Sequence, residues 1–139
     1  MIKSDEINWQ KLDNLVPCVV QDDLTGKVLM LGYMNREALK MSLENKYLTF
    51  YSRSRKQLWT KGETSGNKLE IRSLSLDCDQ DAILAKVIPQ GPVCHTGKDT
   101  CWSENNSADI LNYLEDTINH RKIHPSEQSY TSHLFRNGI

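Results

Sequence analysis

A chain of 139 residues and 16.0 kDa has room for one core of ordinary size and a short appendage. Its hydrophobic share of 38% and charged share of 25% describe a globular protein, and a net charge of -1 excludes a chain built on bulk attraction to nucleic acid or an anionic membrane. It has no apolar run long enough to span a membrane. Met1–Glu6 lacks the apolar centre of a secretory signal, so the four cysteines are expected as reduced thiols in the cytoplasm rather than as two disulfides.

In chain order, residues 16–20 and 28–33 read as buried strands, and Asp22-Asp23-Leu24-Thr25-Gly26 turns the chain between them as a hairpin. Asn35 is placed to cap a short helix over 36–45, with Glu37 in the positively polarised first turn and Leu39 and Leu43 on one face. Tyr47 to Ser52, β-branched and aromatic, predicts a strand. Residues 53–68 read as a loop punctuated by Lys61-Gly62 and Ser65-Gly66-Asn67. They carry Arg53, Arg55, Lys56, Lys61 and Lys68 against Glu63 alone, a local balance of +4.

A strand from Leu69 to about Asp77 and a return partner from Ala82 to Ile88 follow, and Pro89-Gln90-Gly91-Pro92 breaks the pattern. The polar stretch 103–107 reads as a linker. It divides the chain into regions 1–107 and 108–139. Ile110, Leu111, Leu114 and Ile118 at helical spacing predict an amphipathic helix over 108–122, ended by His124-Pro125-Ser126. A second helix is expected from Tyr130 to Arg136, with Gly138 just past its end.

Chemistry concentrates at 77–101, which holds Cys78, Cys94 and Cys101, an acidic triplet of Asp77, Asp79 and Asp81, and His95. Thiolates suit a borderline ion such as zinc, whereas carboxylate oxygens suit magnesium or calcium. Strand periodicity would project the three aspartates together and turn Cys78 to the other face. An EF-hand fails, because its glycine position is Ala82 and its glutamate position is Ile88. A solvated acidic strand end stands as the plain alternative.

The spacing of Cys94 and Cys101 is not that of a zinc finger, and by itself it fits structural cysteines as well as ligands. With Cys78 there are three thiolates, the number that leaves a position open for water in a catalytic site. A closed structural site stays open as a reading if His95 or His124 supplies a fourth ligand. Cys18, in an apolar run, reads as core, and His120, His124 and His133 as surface. The arginines, glycines and Ser-Gly-Asn of the cationic loop match phosphate oxygens.

LMLGYMN (29–35), SRSRKQLWTKGETSGN (52–67), DCDQD (77–81) and GPVCHTGKDTCW (91–102), in this order, resemble phosphoribosyl-AMP cyclohydrolase of histidine biosynthesis over about residues 7–103. The resemblance implies an α+β fold, mostly antiparallel sheet with short helices, in an intertwined homodimer with a short helical C-terminal tail. It implies magnesium on Asp77, Asp79 and Asp81. Catalytic zinc would sit on Cys78, Cys94 and Cys101, with Cys78 coming from the partner subunit. The implied substrate is a small phosphorylated nucleotide, adenine carrying phosphoribosyl groups on N1 and N9. Activated water adding at C6 would break the C6–N1 bond, as water adds in zinc adenine deaminases. The deaminase pattern itself is absent, since no histidine here has a glutamate two residues later.

Three thiolates around a dication leave a net charge of about −1, which weakens the acidity of bound water, so a proton acceptor is needed. His95 is the candidate for that catalytic role. Arg53 and Lys61 are the candidate phosphate partners, Ser65, Gly66 and Asn67 a cradle, and Trp59 a surface for the base. Residues 111–139 resemble the opening of phosphoribosyl-ATP pyrophosphohydrolase without its later metal-binding helices, so that second activity is not expected. The rival class is a zinc-stabilised interaction module, disfavoured because structural zinc needs neither the triplet nor the cationic loop. RNA binding through that loop is weaker still, with Trp59 its only aromatic.

Overall fold

A computed structural model describes residues 1–107 and 110–138. Ala108 and Asp109, where the 108–122 helix was expected to begin, lie outside the described residues, as do Ile139 and the side chains of Ile110, Asn112, Tyr113 and Asp116. The chain forms two compact units, Met1–Asn106 and Ser107 onward.

In the first unit, β1 (Val16–Asp22) and β2 (Val28–Met34) form the expected antiparallel hairpin. Its turn is tied by the Asp22 carboxylate, whose Oδ1 accepts from the Leu24 and Thr25 N–H groups at 2.7 and 3.0 Å. Helix α1 (Arg36–Asn45) follows, with Asn35 Oδ1 accepting from Ala38 N at 2.8 Å as its N-cap. Lys46 leaves the helix in the left-handed conformation. The buried Ser42 hydroxyl donates to Ala38 O and accepts from Thr49 N, both at 2.8 Å, fastening α1 to the next strand.

That strand, β3 (Thr49–Ser52), pairs antiparallel with β4 (Gln57–Thr60). The stretch 53–68 is therefore not all loop, and its middle is a strand. Phe50 and Trp59 are register partners whose rings sit 5.2 Å apart, and that contact, rather than local composition, holds β4. Strands β5 (Leu69–Leu76) and β6 (Ile83–Pro89) form a second antiparallel hairpin.

The four-stranded sheet runs β2-β1-β6-β5. Its central pair, β1 and β6, is parallel, against an otherwise antiparallel pattern. Pairing with β6 starts at Cys18, so Pro17, which has no N–H to give, needs only β2 as a neighbour. Alternate residues Val16, Cys18 and Val20 of β1 join Leu29, Phe50 and Val87 in one core, against which Leu58 and Trp59 pack. Burial pushes the Cys18 thiol up to about 12, the behaviour of an inert core cysteine.

In the second unit, α2 (Ile110–Ile123) packs against α3 (Tyr130–Asn137). Ser129 caps α3, Gly138 closes it, and the buried Ser132 hydroxyl donates to Arg121 O at 2.9 Å. Among the described residues no helix is long and apolar enough to cross a membrane.

Candidate functional site

The acidic triplet belongs to the β5–β6 turn. Strand β5 ends at Leu76, so the alternation expected of a strand does not govern residues 77–81; the turn itself gathers the carboxylates. Asp77 Oδ1 accepts from the N–H groups of Asp81 and Ala82 at 2.9 and 3.1 Å, and Asp77 N donates to Ala82 O. Gln80, at φ 63°, completes the tight path in the left-handed region. One ligand oxygen from each of Asp77, Asp79 and Asp81 lies within 4.8 Å of the others, a spacing that fits a divalent cation. Lys11 crosses to this turn from the N-terminal segment. Its ammonium donates to Asp79 Oδ2 at 3.0 Å and to Asp81 Oδ2 at 2.5 Å. The Lys11 hydrogen bond, followed by that of Asp81, holds the Asp79 carboxyl below the usual carboxylate range.

The second thiol-bearing segment, 91–103, is fixed by backbone and buried groups. Cys94 N donates to Lys98 O at 3.0 Å and Gly97 N to Cys94 O at 3.0 Å, curling the chain between the two cysteines. Cys101 N donates to Leu29 O on β2 at 2.9 Å. The fully buried Thr100 hydroxyl accepts from Trp102 N and Glu104 N, while Asn106 bridges Asp99 to Asp22 and Thr25 of the β1–β2 turn.

The Cys94 and Cys101 thiols lie near enough to influence each other's ionisation, in opposite directions. The Thr96 hydroxyl donates to Cys94 Sγ at 3.2 Å. That bond, then the Thr96 backbone, the Cys101 thiol and the Lys61 charge, depress the Cys94 thiol; desolvation and neighbouring Cys94 raise Cys101. Cys78 lies in the aspartate turn and lines a different hollow with Leu76 and Gln80. Among the described residues it makes no metal-sized cluster with Cys94 and Cys101 within one chain.

A cleft of about 420 Å³ joins the cationic loop to the cysteine loop. Trp59, Lys61, Ser65 and Asn67 line one wall, Cys94 and His95 the other. The walls are wedged together by Asn67. A Cβ on Gly62 (φ 81°) would meet the Asn67 carbonyl carbon at 2.3 Å, and one on Gly91 would meet Asn67 Oδ1 at 2.3 Å, so neither position has room for a side chain. Lys61 Nζ lies 5.9 Å from the Trp59 ring centroid. His95 is exposed, with Nδ1 3.9 Å from Cys94 Sγ.

Two of the sequence-predicted substrate residues fall outside this cleft. Arg53 lines a neighbouring hollow of about 750 Å³ with Tyr33, Ser52 and Ser54, its guanidinium 4.0 Å from the Tyr33 ring centroid. Gly66 donates its N–H to Gly62 O and shapes the loop without lining the cleft. Arg55 and Trp59 border both hollows. Sequence reasoning missed Thr96, Thr100 and Lys11. Thr96 was findable as a hydroxyl two residues from a cysteine; the other two act through tertiary contacts.

The sequence profile described as phosphoribosyl-AMP cyclohydrolase matches residues 30–103. The chain is 52% identical over 139 residues to the "Histidine biosynthesis bifunctional protein HisIE" of Photobacterium profundum, covering 95% of this chain and 67% of that protein. The like-named protein of Shewanella oneidensis is 49% identical over 98% of this chain and 65% of its own length. That of Campylobacter jejuni is 49% identical over 97% and 67%. The chain thus spans about two thirds of the length of these relatives.

Proposed function

The chain belongs to the phosphoribosyl-AMP cyclohydrolase family, and on that premise we propose that it is a zinc-dependent hydrolase opening the adenine ring of phosphoribosyl-AMP at C6–N1 in histidine biosynthesis, in the cytoplasm. The observation that carries this reading is the single cleft in which the depressed Cys94 thiol and His95 face Lys61, Ser65 and Asn67. Thiol chemistry and anion-binding groups then share one substrate-sized space.

Cys94 and Cys101 supply two thiolates from one chain, and Cys78 of a second subunit would supply the third, which makes an intertwined homodimer the working form. Zinc held there would supply activated water and an electrophilic field, the chemistry that three thiolates with one open position favour. Asp77, Asp79 and Asp81 would hold magnesium, neutralising the turn that carries Cys78.

The chain's own groups do the rest. Lys61 draws a substrate phosphate into the cleft, and the Ser65 hydroxyl and Asn67 amide orient it. Trp59, packed on Phe50 along β4, offers a fixed aromatic edge for the base. Arg53 and Arg55 place positive charge in the adjoining hollow, where the second phosphoribosyl arm can lie. His95, on the solvent side of Cys94, accepts the proton of the attacking water and returns it to N1 as the ring opens. Water attack at C6 forms one C–O bond and C6–N1 breaks; one water proton passes through His95 to N1 and the other to the exocyclic nitrogen on C6 as the carboxamide forms, so the step balances with water alone.

The test is incubation of the full chain with synthetic phosphoribosyl-AMP, following loss of purine absorbance, with and without a zinc chelator. Ring opening that stops on chelation and returns with zinc is the expected result. A folded, zinc-loaded sample that leaves the ring intact overturns the reading.

A further inference from the structure

We propose that the Lys11 ammonium is an internal counter-ion for the aspartate turn, occupying the cation position and leaving it when a divalent ion binds, so that Lys11 sets the turn's metal affinity. The proposal rests on the reading of Asp77, Asp79 and Asp81 as a divalent-cation site. Lys11 stands 68 and 70 residues from Asp79 and Asp81, yet its Nζ contacts the Oδ2 atoms of both. Those oxygens belong to two of the three carboxylates of the cluster that a metal would use. The remaining aspartate is differently employed, since Asp77 Oδ1 is held by the backbone N–H groups of Asp81 and Ala82.

Magnesium demands oxygens at about 2.0–2.1 Å in near-octahedral array. An ammonium donating to one oxygen of each carboxylate partly neutralises the pair, and its charge repels an incoming dication. The two cations therefore compete for Asp79 and Asp81. Lys11 can also leave without unfolding its segment. Trp9 is buried in the core, Leu12 packs on it, and Asn8 N donates to Gln80 O at 3.1 Å, so the backbone stays docked beside the turn while the long side chain swings into solvent. Half the Lys11 side-chain surface is already exposed. A bound dication would thus exchange one cross-link for another, with Lys11 as its resident competitor.

If the ammonium occupies the site in roughly nine molecules of ten, the apparent affinity is about tenfold below the intrinsic one. Manganese(II), a paramagnetic magnesium substitute, is the probe, titrated into wild-type, Lys11→Met and Asp79→Asn proteins and read by calorimetry and by loss of its free-ion resonance. Lys11→Met is expected to bind about tenfold tighter and Asp79→Asn to lose the site. Independently, acetylation of Lys11 in the wild-type protein, read by mass spectrometry, should rise when manganese is added.

Equal or weaker binding by folded Lys11→Met would make Lys11 a scaffold and overturn the proposal while leaving the metal reading standing. Unchanged labelling of Lys11 on metal binding would overturn it as well. A wild-type protein that binds no manganese would remove the metal reading and the proposal together. None of these readouts depends on turnover, so failure of the ring-opening assignment remains separately visible.

Discussion

The turn at 77–82 and the loop at 91–103 both present thiols, but different forces hold them. The loop is pinned without any cation, mostly through buried groups: Thr100 is fully buried, Cys101 N reaches Leu29 O, and the Asn106 backbone and amide donate to the carboxylates of Asp99 and buried Asp22. The turn is exposed. Apart from backbone bonds, its own and the one from Asn8 N to Gln80 O, it is balanced by the Lys11 ammonium across from Asp79 and Asp81. Buried neutral bonds are insensitive to salt and set geometry before any ligand arrives, whereas exposed ion pairs are screened and exchangeable. The contrast assigns preorganisation to Cys94 and Cys101 and adjustability to Cys78.

The largest effect should come from separating the two segments genetically. Cys78→Ser and Cys94→Ser should each lower turnover by about a thousandfold or more, as expected when a metal ligand is lost. Mixed after unfolding and refolded together, the two inactive variants should recover about a quarter of wild-type activity. Half of the random dimers would be mixed, and one of the two sites in each would be intact. No recovery, with dimers confirmed by light scattering, would show that the thiols are not shared between subunits.

A smaller effect tests the neutral half of the contrast. Thr100→Val keeps the shape but leaves the N–H groups of Trp102 and Glu104 without their acceptor. Urea denaturation should register a loss of about 1–3 kcal/mol. That loss should be the same in low and high salt. A loss that vanished in high salt would mean that charge, not buried hydrogen bonding, organises the loop.

The last effect is confined to alkaline pH and is absent near neutrality. Cys18 is raised from 9.0 to about 12 by burial, so the unfolded chain releases its proton first. Its contribution to stability is whole below pH 9 and is lost as pH rises from about 9 towards 12, by at most about 1.4 kcal/mol per pH unit. Cys18→Ala should flatten the alkaline limb of a stability–pH curve relative to wild type. Parallel curves would locate the titrating group elsewhere.

Legibility in the sequence followed the range of the interaction. The β1–β2 turn, the Asn35 cap and the span of α1 depend on neighbours within a few residues, and they were readable. Strand β4 was not, because Gln57-Leu58-Trp59-Thr60 sits among basic and turn-forming residues and becomes a strand through Phe50. The parallel β1–β6 pair was likewise hidden, since a crossover of that length leaves no local mark. At the site, the cysteines and aspartates announced themselves by type. Their arrangement did not: a turn rather than a strand gathers the aspartates, and Lys11 reaches them from nearly 70 residues away. Arg53 and Lys61, close in sequence, part into adjoining hollows because Arg53 sits in the β3–β4 turn and Lys61 at the far end of β4.

The parallel pairing at the centre of the sheet also bears on how the protein is born. About 50 residues separate the end of β2, which completes the first hairpin, from the start of β6, which at roughly 5–20 residues per second is on the order of 2–10 s of ribosomal synthesis. Throughout that interval the first hairpin has emerged with the long edge of β1 unclaimed, a template for neighbouring nascent chains. Escape from aggregation then depends on the ribosome's pace and on chaperones that shield that edge until β6 arrives.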